Sequence, residues 1–168
     1  MRRSANNVAM LGLCTALALI LAYVEVLLPP LFAAIPGIKI GLPNIVIIFV
    51  LYKFGISSAA TVSFIRIIAV SMLFGNVMAF SYSIAGAVLS LAVMSVLYKT
   101  DLFSTVIVSI VGGVLHNVGQ IIMAMILLET AEIGYYLIVL SITGVISGAL
   151  VGLCGILAIN RIEINKKR

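Results

Sequence analysis

Charge is what this 168-residue chain has least of: only 9% of it is Asp, Glu, Lys or Arg, while 64% is hydrophobic. A soluble domain carries roughly a quarter charged residues, so that class is excluded. Strict alternation of apolar and polar positions is also missing, which excludes an outer-membrane barrel and leaves helices as the spanning elements. There is no Walker A sequence, so the chain cannot supply its own ATP hydrolysis by that device. Metal-ligand spacing is absent too: His116 is the single histidine, and Cys14 and Cys154 stand alone in apolar runs. No metal and no cofactor are expected, and both cysteines read as small core residues. The first apolar run is too long for a signal-peptide core and has no small-x-small cleavage site before a polar mature start, so it is expected to be retained.

Apolar runs long enough to cross about 30 Å of hydrocarbon recur along the whole chain. They predict a single all-α transmembrane domain, 1–168, with six spans at about 8–28, 44–54, 57–74, 77–98, 105–128 and 137–159. The net charge of +5 does not point to nucleic acid, because its placement follows the spans. Arg2, Arg3, Lys53, Lys99, Arg161, Lys166, Lys167 and Arg168 fall at alternate span ends. All can then lie on one side of a bundle, which the positive-inside rule makes the cytoplasm. The chain is therefore expected in the cell membrane with both termini cytoplasmic, and Glu129 and Glu132 outside.

The stretch Pro36-Gly-Ile-Lys-Ile-Gly-Leu-Pro-Asn44 interrupts two apolar segments. Its prolines fix φ and withhold donors, and its glycines open conformations closed to other residues. Pro43 suits the first turn of the next helix. That helix, with only about eleven residues, covers roughly 17 Å and is too short to cross alone. Part of the Pro/Gly segment must then enter the membrane, where irregular backbone is tolerated only against protein or a water-filled cavity. Short, Pro/Gly-broken spans are also pointers to a transporter's substrate site. Lys39 precedes the helix start at Asn44, where the dipole favours an anion. Two readings of Lys39 stand, an anion seat and a snorkelling interfacial residue.

Polar groups elsewhere in the spans are few. Arg66 lies near the middle of the third span, where insertion costs about 3 kcal/mol or more, so it should face a partner or a cavity. Glu25, near the outer end of the first span, is either exposed at the interface or directed at a site, with an ion pair to Arg66 as the structural alternative. His116 and Gln120 are four apart on one face with Asn117 beside them, level with Arg66. Three such groups at one depth suggest a cavity lining. Ser81, Tyr82, Ser83, Ser90 and Ser95 in the fourth span read instead as helix-packing groups. Small residues at helical intervals, Ala5, Ala9, Gly12, Ala16, Ala18 and Ala22, let another helix approach span 1, from this chain or from another subunit. Gly144, Gly148, Gly152 and Gly155 make a second close-packing face.

The ordered set of Glu25, the PGIKIGLPN segment, Arg66 with Leu73-Phe74-Gly75, His116-Asn-Val-Gly-Gln120, Tyr135-Tyr136 and Gly144 resembles the Gx transporter family, also named heptaprenyl diphosphate synthase component I. The family motif more usually has alanine where Pro43 stands, a departure that bears on the local helix start. The resemblance extends to the substrate-binding S components of energy-coupling factor transporters. It implies a six-helix fold, a pocket open to the outside, and docking through the helix 1 small residues, here Ala9, Gly12 and Ala16, onto a coupling subunit driven by two ATPases. On that reading Lys39 and Arg66 receive the anionic group of a small organic substrate, such as a vitamin, quinone or isoprenoid precursor. His116, Asn117 and Gln120 give neutral hydrogen bonds, Asn44 joins them, and Glu25 orients Arg66 or a cationic ligand group. The family's two names disagree on function. Prenyl diphosphate synthases resemble one another in aspartate-rich motifs that hold Mg²⁺, and Asp101 is the one aspartate here. No catalytic residue is expected, and the rival reading is a non-catalytic membrane subunit of a heptaprenyl diphosphate synthase.

Overall fold

The computed structural model describes residues 2–27, 41–74 and 77–162, with side chains from Ala5 onward. Lys39 and its neighbours in 36–40, the expected Gly75-Asn76 turn and the tail beyond Ile162 lie outside the described residues. Among the described residues every regular element is helical. Five helices are long and apolar enough to cross a membrane, and a shorter apolar helix accompanies them.

Helix α1 (Arg2–Leu27) turns Cys14, Ala18, Ala22 and Glu25 inward. Their spacing of three and four residues traces one helical face. Helix α2 (Asn44–Phe54) is apolar on every side, and Val46 to Leu51 are all buried. A helix without a polar face belongs in a core, and α2 packs against α1, α3 and α6. Gly55 alone separates it from α3 (Ile56–Phe74). Helix α4 (Val77–Thr100) is followed by α5 (Thr105–Leu128), which Ser104 caps by accepting from the Ile107 N–H at 3.3 Å. Glu129, in the left-handed region, ends α5. A 3-10 helix (Ala131–Tyr136) then leads into α6 (Leu137–Arg161).

Helices α2 and α5 have the bounds expected from sequence, as do the starts of α4 and α6 and the end of α3, while the start of α1, the start of α3 and the ends of α4 and α6 move outward. Helix α1 begins six residues before the apolar run, and α4 runs two residues into what read as a polar inner loop. Backbone hydrogen bonding tolerates polar residues in helical ends that reach water. The segment between α5 and α6, expected as an outer loop, contains the 3-10 helix Ala131–Tyr136.

The tightest packing joins α4, α5 and α6. A Cβ on Gly148 would lie 2.7 Å from the Ile110 Cα, and one on Gly113 would lie 2.6 Å from the Gly144 carbonyl oxygen. Only glycine lets these backbones approach so closely, the means by which helices associate where lipid removes the hydrophobic drive. The α6 glycine face is thus divided, with Gly144, Gly148 and Gly152 against α5 and Gly155 against Ile48 of α2. The span 1 small residues divide as well. Ala18 and Ala22 are buried, whereas Ala5, Ala9, Gly12 and Ala16 are exposed and nothing comes within 4 Å of a Cβ built on Gly12. One cysteine reading needs correction: Cys14 is buried, but Cys154 is exposed on the outer face of α6. Their helical phases differ, and apolar surroundings in the sequence do not tell core from lipid.

Candidate functional site

Arg66 reaches the interior through the register of α3. The buried positions Ala59, Val62, Ser63, Arg66, Ile67 and Val70 recur at three- and four-residue intervals, so the arginine lies on the face turned toward the bundle. It is only 9% exposed. Its Nε is buried without a hydrogen-bond partner among the described residues. An orphaned donor of this kind costs about 1–3 kcal/mol, and more on a charged group.

The other groups arrive at the same depth because the helices share an end. Asn44 starts α2 and lies about 15 Å above its last residue, Arg66 about 15 Å above the start of α3, and His116 about 16 Å above the start of α5. They meet around a void lined by Glu25 of α1, Asn44 of α2, Arg66 and Ser71 of α3, Ser83 of α4 and His116 of α5. Glu25 is buried, its charge acts on Arg66, and it accepts a hydrogen bond from the Gly41 N–H. Gly41 has φ +86°, and a Cβ there would approach the Asn44 Nδ2 to 2.9 Å, so the turn into α2 requires glycine.

The start of α2 is already hydrogen-bonded. The N–H groups of Asn44, Ile45 and Val46 donate to the carbonyls of Gly41, Leu42 and Pro43 at 2.9, 3.2 and 3.0 Å. Pro43 has no N–H, so this helix start gives an anion its dipole field rather than free first-turn donors. Pro43 is helical in conformation and fully buried, so the proline in place of alanine leaves the helix start intact.

The three polar residues of α5 part ways. His116 lines the Arg66 void, and its ring and carbonyl rest where a Cβ on Gly86 of α4 would fall, 2.8–2.9 Å away. Asn117, one residue and about 100° onward, turns to α6, where its Nδ2 donates to the Leu140 carbonyl at 2.7 Å. It also lines a second void with His116, Asn44, Ser90, Ser109 and Ser147. Gln120 is buried, with its Oε1 unpartnered among the described residues, but it belongs to neither lining. The expected single convergence of His116, Asn117 and Gln120 is therefore split, because α5 lies between α4 and α6 and serves both. Each void has about 20 Å³ of room for the centre of a water molecule, enough for one water.

Ser71 and Ser83, read from sequence as packing groups or not singled out, line the Arg66 void. Ser71 is five residues beyond Arg66, which gave the periodicity no reason to separate it from other helix serines. Ala9, Gly12 and Ala16 line neither void and lie on the exposed side of α1.

Against known families, residues 14–157 match the model described as heptaprenyl diphosphate synthase component I. No curated protein and no solved structure matches the chain.

Proposed function

The chain belongs to the heptaprenyl diphosphate synthase component I family, and on that premise we propose that it is a non-catalytic, membrane-embedded binding subunit of the S-component kind. It takes up a small anionic or amphipathic organic molecule, such as a vitamin, quinone or isoprenoid precursor. The observation that carries this reading is Arg66, a buried mid-span cation whose Nε has no partner among the described residues, at a void that five helices line. A charge held at that depth in a membrane helix is costly and marks a ligand or ion path by default.

In this reading Arg66 and Lys39 take the anionic group, Glu25 holds the α2 turn and orients Arg66, and His116 and Asn44 at the same void supply neutral hydrogen bonds, while Asn117 and Gln120 drop out of the ligand's reach. The α2 helix with the segment before it makes a sixth, broken span, and both termini face the cytoplasm of the cell membrane. The exposed Ala9, Gly12 and Ala16 face receives an energy-coupling subunit that works with two ATPases. A second reading is supported by the family's own description: the chain recruits a soluble prenyl synthase to the membrane and holds its polyprenyl substrate.

Native mass spectrometry of the gently solubilised protein separates the two. Retention of a small organic molecule together with a coupling subunit and ATPases is expected. A co-purifying prenyl synthase subunit would overturn the transport reading. Arg66→Gln should lose the retained molecule while the protein still folds; a folded variant that keeps its ligand removes Arg66 from the site.

A further inference from the structure

The voids at the polar groups hold about one water each, so the body of an organic ligand needs another place. Between α3 and α4 lies a concavity of about 480 Å³, within the roughly 300–1,000 Å³ of small-molecule sites. Its walls are almost wholly apolar, with Ala60, Phe64 and Ile67 of α3 facing Ile84, Val88 and Leu91 of α4. On the other side of α4 the packing is close, with α4 and α5 meeting through Gly86, Gly112 and Gly119.

Ile67 lines both this groove and the Arg66 void, so the apolar berth and the space at the guanidinium border on the same side chain. Ser63, one helical turn before Arg66 and itself buried, also lines the groove. Ala22 and Val70, both buried, and the start of α2 make up other walls of the Arg66 void. A neutral hydrocarbon in the groove would leave the orphaned Nε–H as it is. An anionic head on the same hydrocarbon would satisfy it and pair the charge, which in a desolvated setting is the stronger kind of hydrogen bond.

We propose that the α3–α4 groove is a lateral berth for the hydrocarbon chain of an anionic amphiphile, entering from the bilayer, whose head passes Ile67 to reach Arg66. This rests on the reading of Arg66 as the anion site and narrows its ligand from any small anion to a chain-bearing one. From Ala60 to Ile67 the groove runs about 10 Å along α3. It lies toward the end where α3 begins, so the chain points to the side on which Lys53 and Lys99 lie.

The test uses the protein in phosphatidylcholine nanodiscs and three probes: farnesyl phosphate, farnesol and inorganic phosphate. Farnesyl phosphate should bind at least about tenfold more tightly than either of the others. Ala87→Phe, which fills the groove, should weaken farnesyl phosphate at least about tenfold. Arg66→Gln should reduce it to the level of farnesol. Loss with Arg66→Gln but not with Ala87→Phe sinks the groove and leaves the anion site standing. Loss with neither variant sinks both.

Should Ala87→Phe not fold, Val88→Trp serves, since Val88 is 65% exposed and the chain has no tryptophan of its own. Brominated farnesyl phosphate should quench that single indole saturably, and no longer do so when Arg66→Gln is added. Quenching by brominated phosphatidylcholine that farnesyl phosphate does not relieve would mean ordinary lipid fills the groove, and the proposal fails.

Discussion

Asn117 illustrates what a polar side chain does in an apolar helix when it is not part of a charge cluster. Its bond to the Leu140 carbonyl ties α5 to α6 at a buried point, so Asn117→Ala should lower stability by about 0.6–2 kcal/mol, as read by the melting temperature of the solubilised protein. A variant melting like the parent would mean the carbonyl finds another donor. Gly41 makes a complementary prediction. At φ +86° and 2.9 Å from Asn44, an alanine is strained in backbone and in space, and Gly41→Ala should cost about 1–2 kcal/mol and loosen the turn that Glu25 holds. Ligand affinity should fall with it, whereas equal affinity at lower stability would detach the turn from the site. At this scale the inward placement of Arg66 was legible, because charge in an apolar run has few uses, whereas Glu25 stood open between interface and site until the structure buried it. Ser71 and Ser83 were not, since serines in membrane helices serve packing and sites alike.

Among the elements, the two small-residue faces behave differently and can be compared directly. Gly148→Leu drives a side chain into the Ile110 backbone and the Ser109 carbonyl, so it should destabilise by about 2–3 kcal/mol or prevent folding. Gly12→Leu meets nothing within 4 Å. It should leave the melting temperature nearly unchanged, within about 0.5 kcal/mol, yet abolish co-purification of a partner subunit. Retained co-purification would place the docking surface elsewhere. The sequence showed both stripes by the same spacing, and spacing alone could not say which was covered. Helix α2 was legible as too short to cross alone, but only the structure placed its apolar middle, Val46 to Leu51, in the core, with Tyr52 meeting Tyr98 of α4 at 5.0 Å between ring centroids.

For the whole molecule, the charge pattern makes a prediction about sidedness. In a background with Cys14 and Cys154 replaced, Lys53→Cys and Lys99→Cys should react with an impermeant maleimide from the cytoplasmic side only, and Glu132→Cys from the outer side only. Labelling of Lys53→Cys from the outside would show that α2 and α3 do not form an inward-ending pair and would remove the sixth span. Composition and hydropathy by themselves determined that this is a helical membrane protein, where its long helices run, and that a few polar groups at mid-span are the candidates for function. Those features follow from transfer free energy and chain length, which are local. Only the tertiary structure decided that Asn117 leaves the Arg66 cluster for α6, that Gln120 stays outside both voids, and that Ala9, Gly12 and Ala16 stay uncovered while Ala18 and Ala22 do not. The physical reason is that lipid and core are equally apolar. A membrane helix can therefore be rotated without changing its hydropathy, and helix-to-helix contact alone fixes which face looks inward.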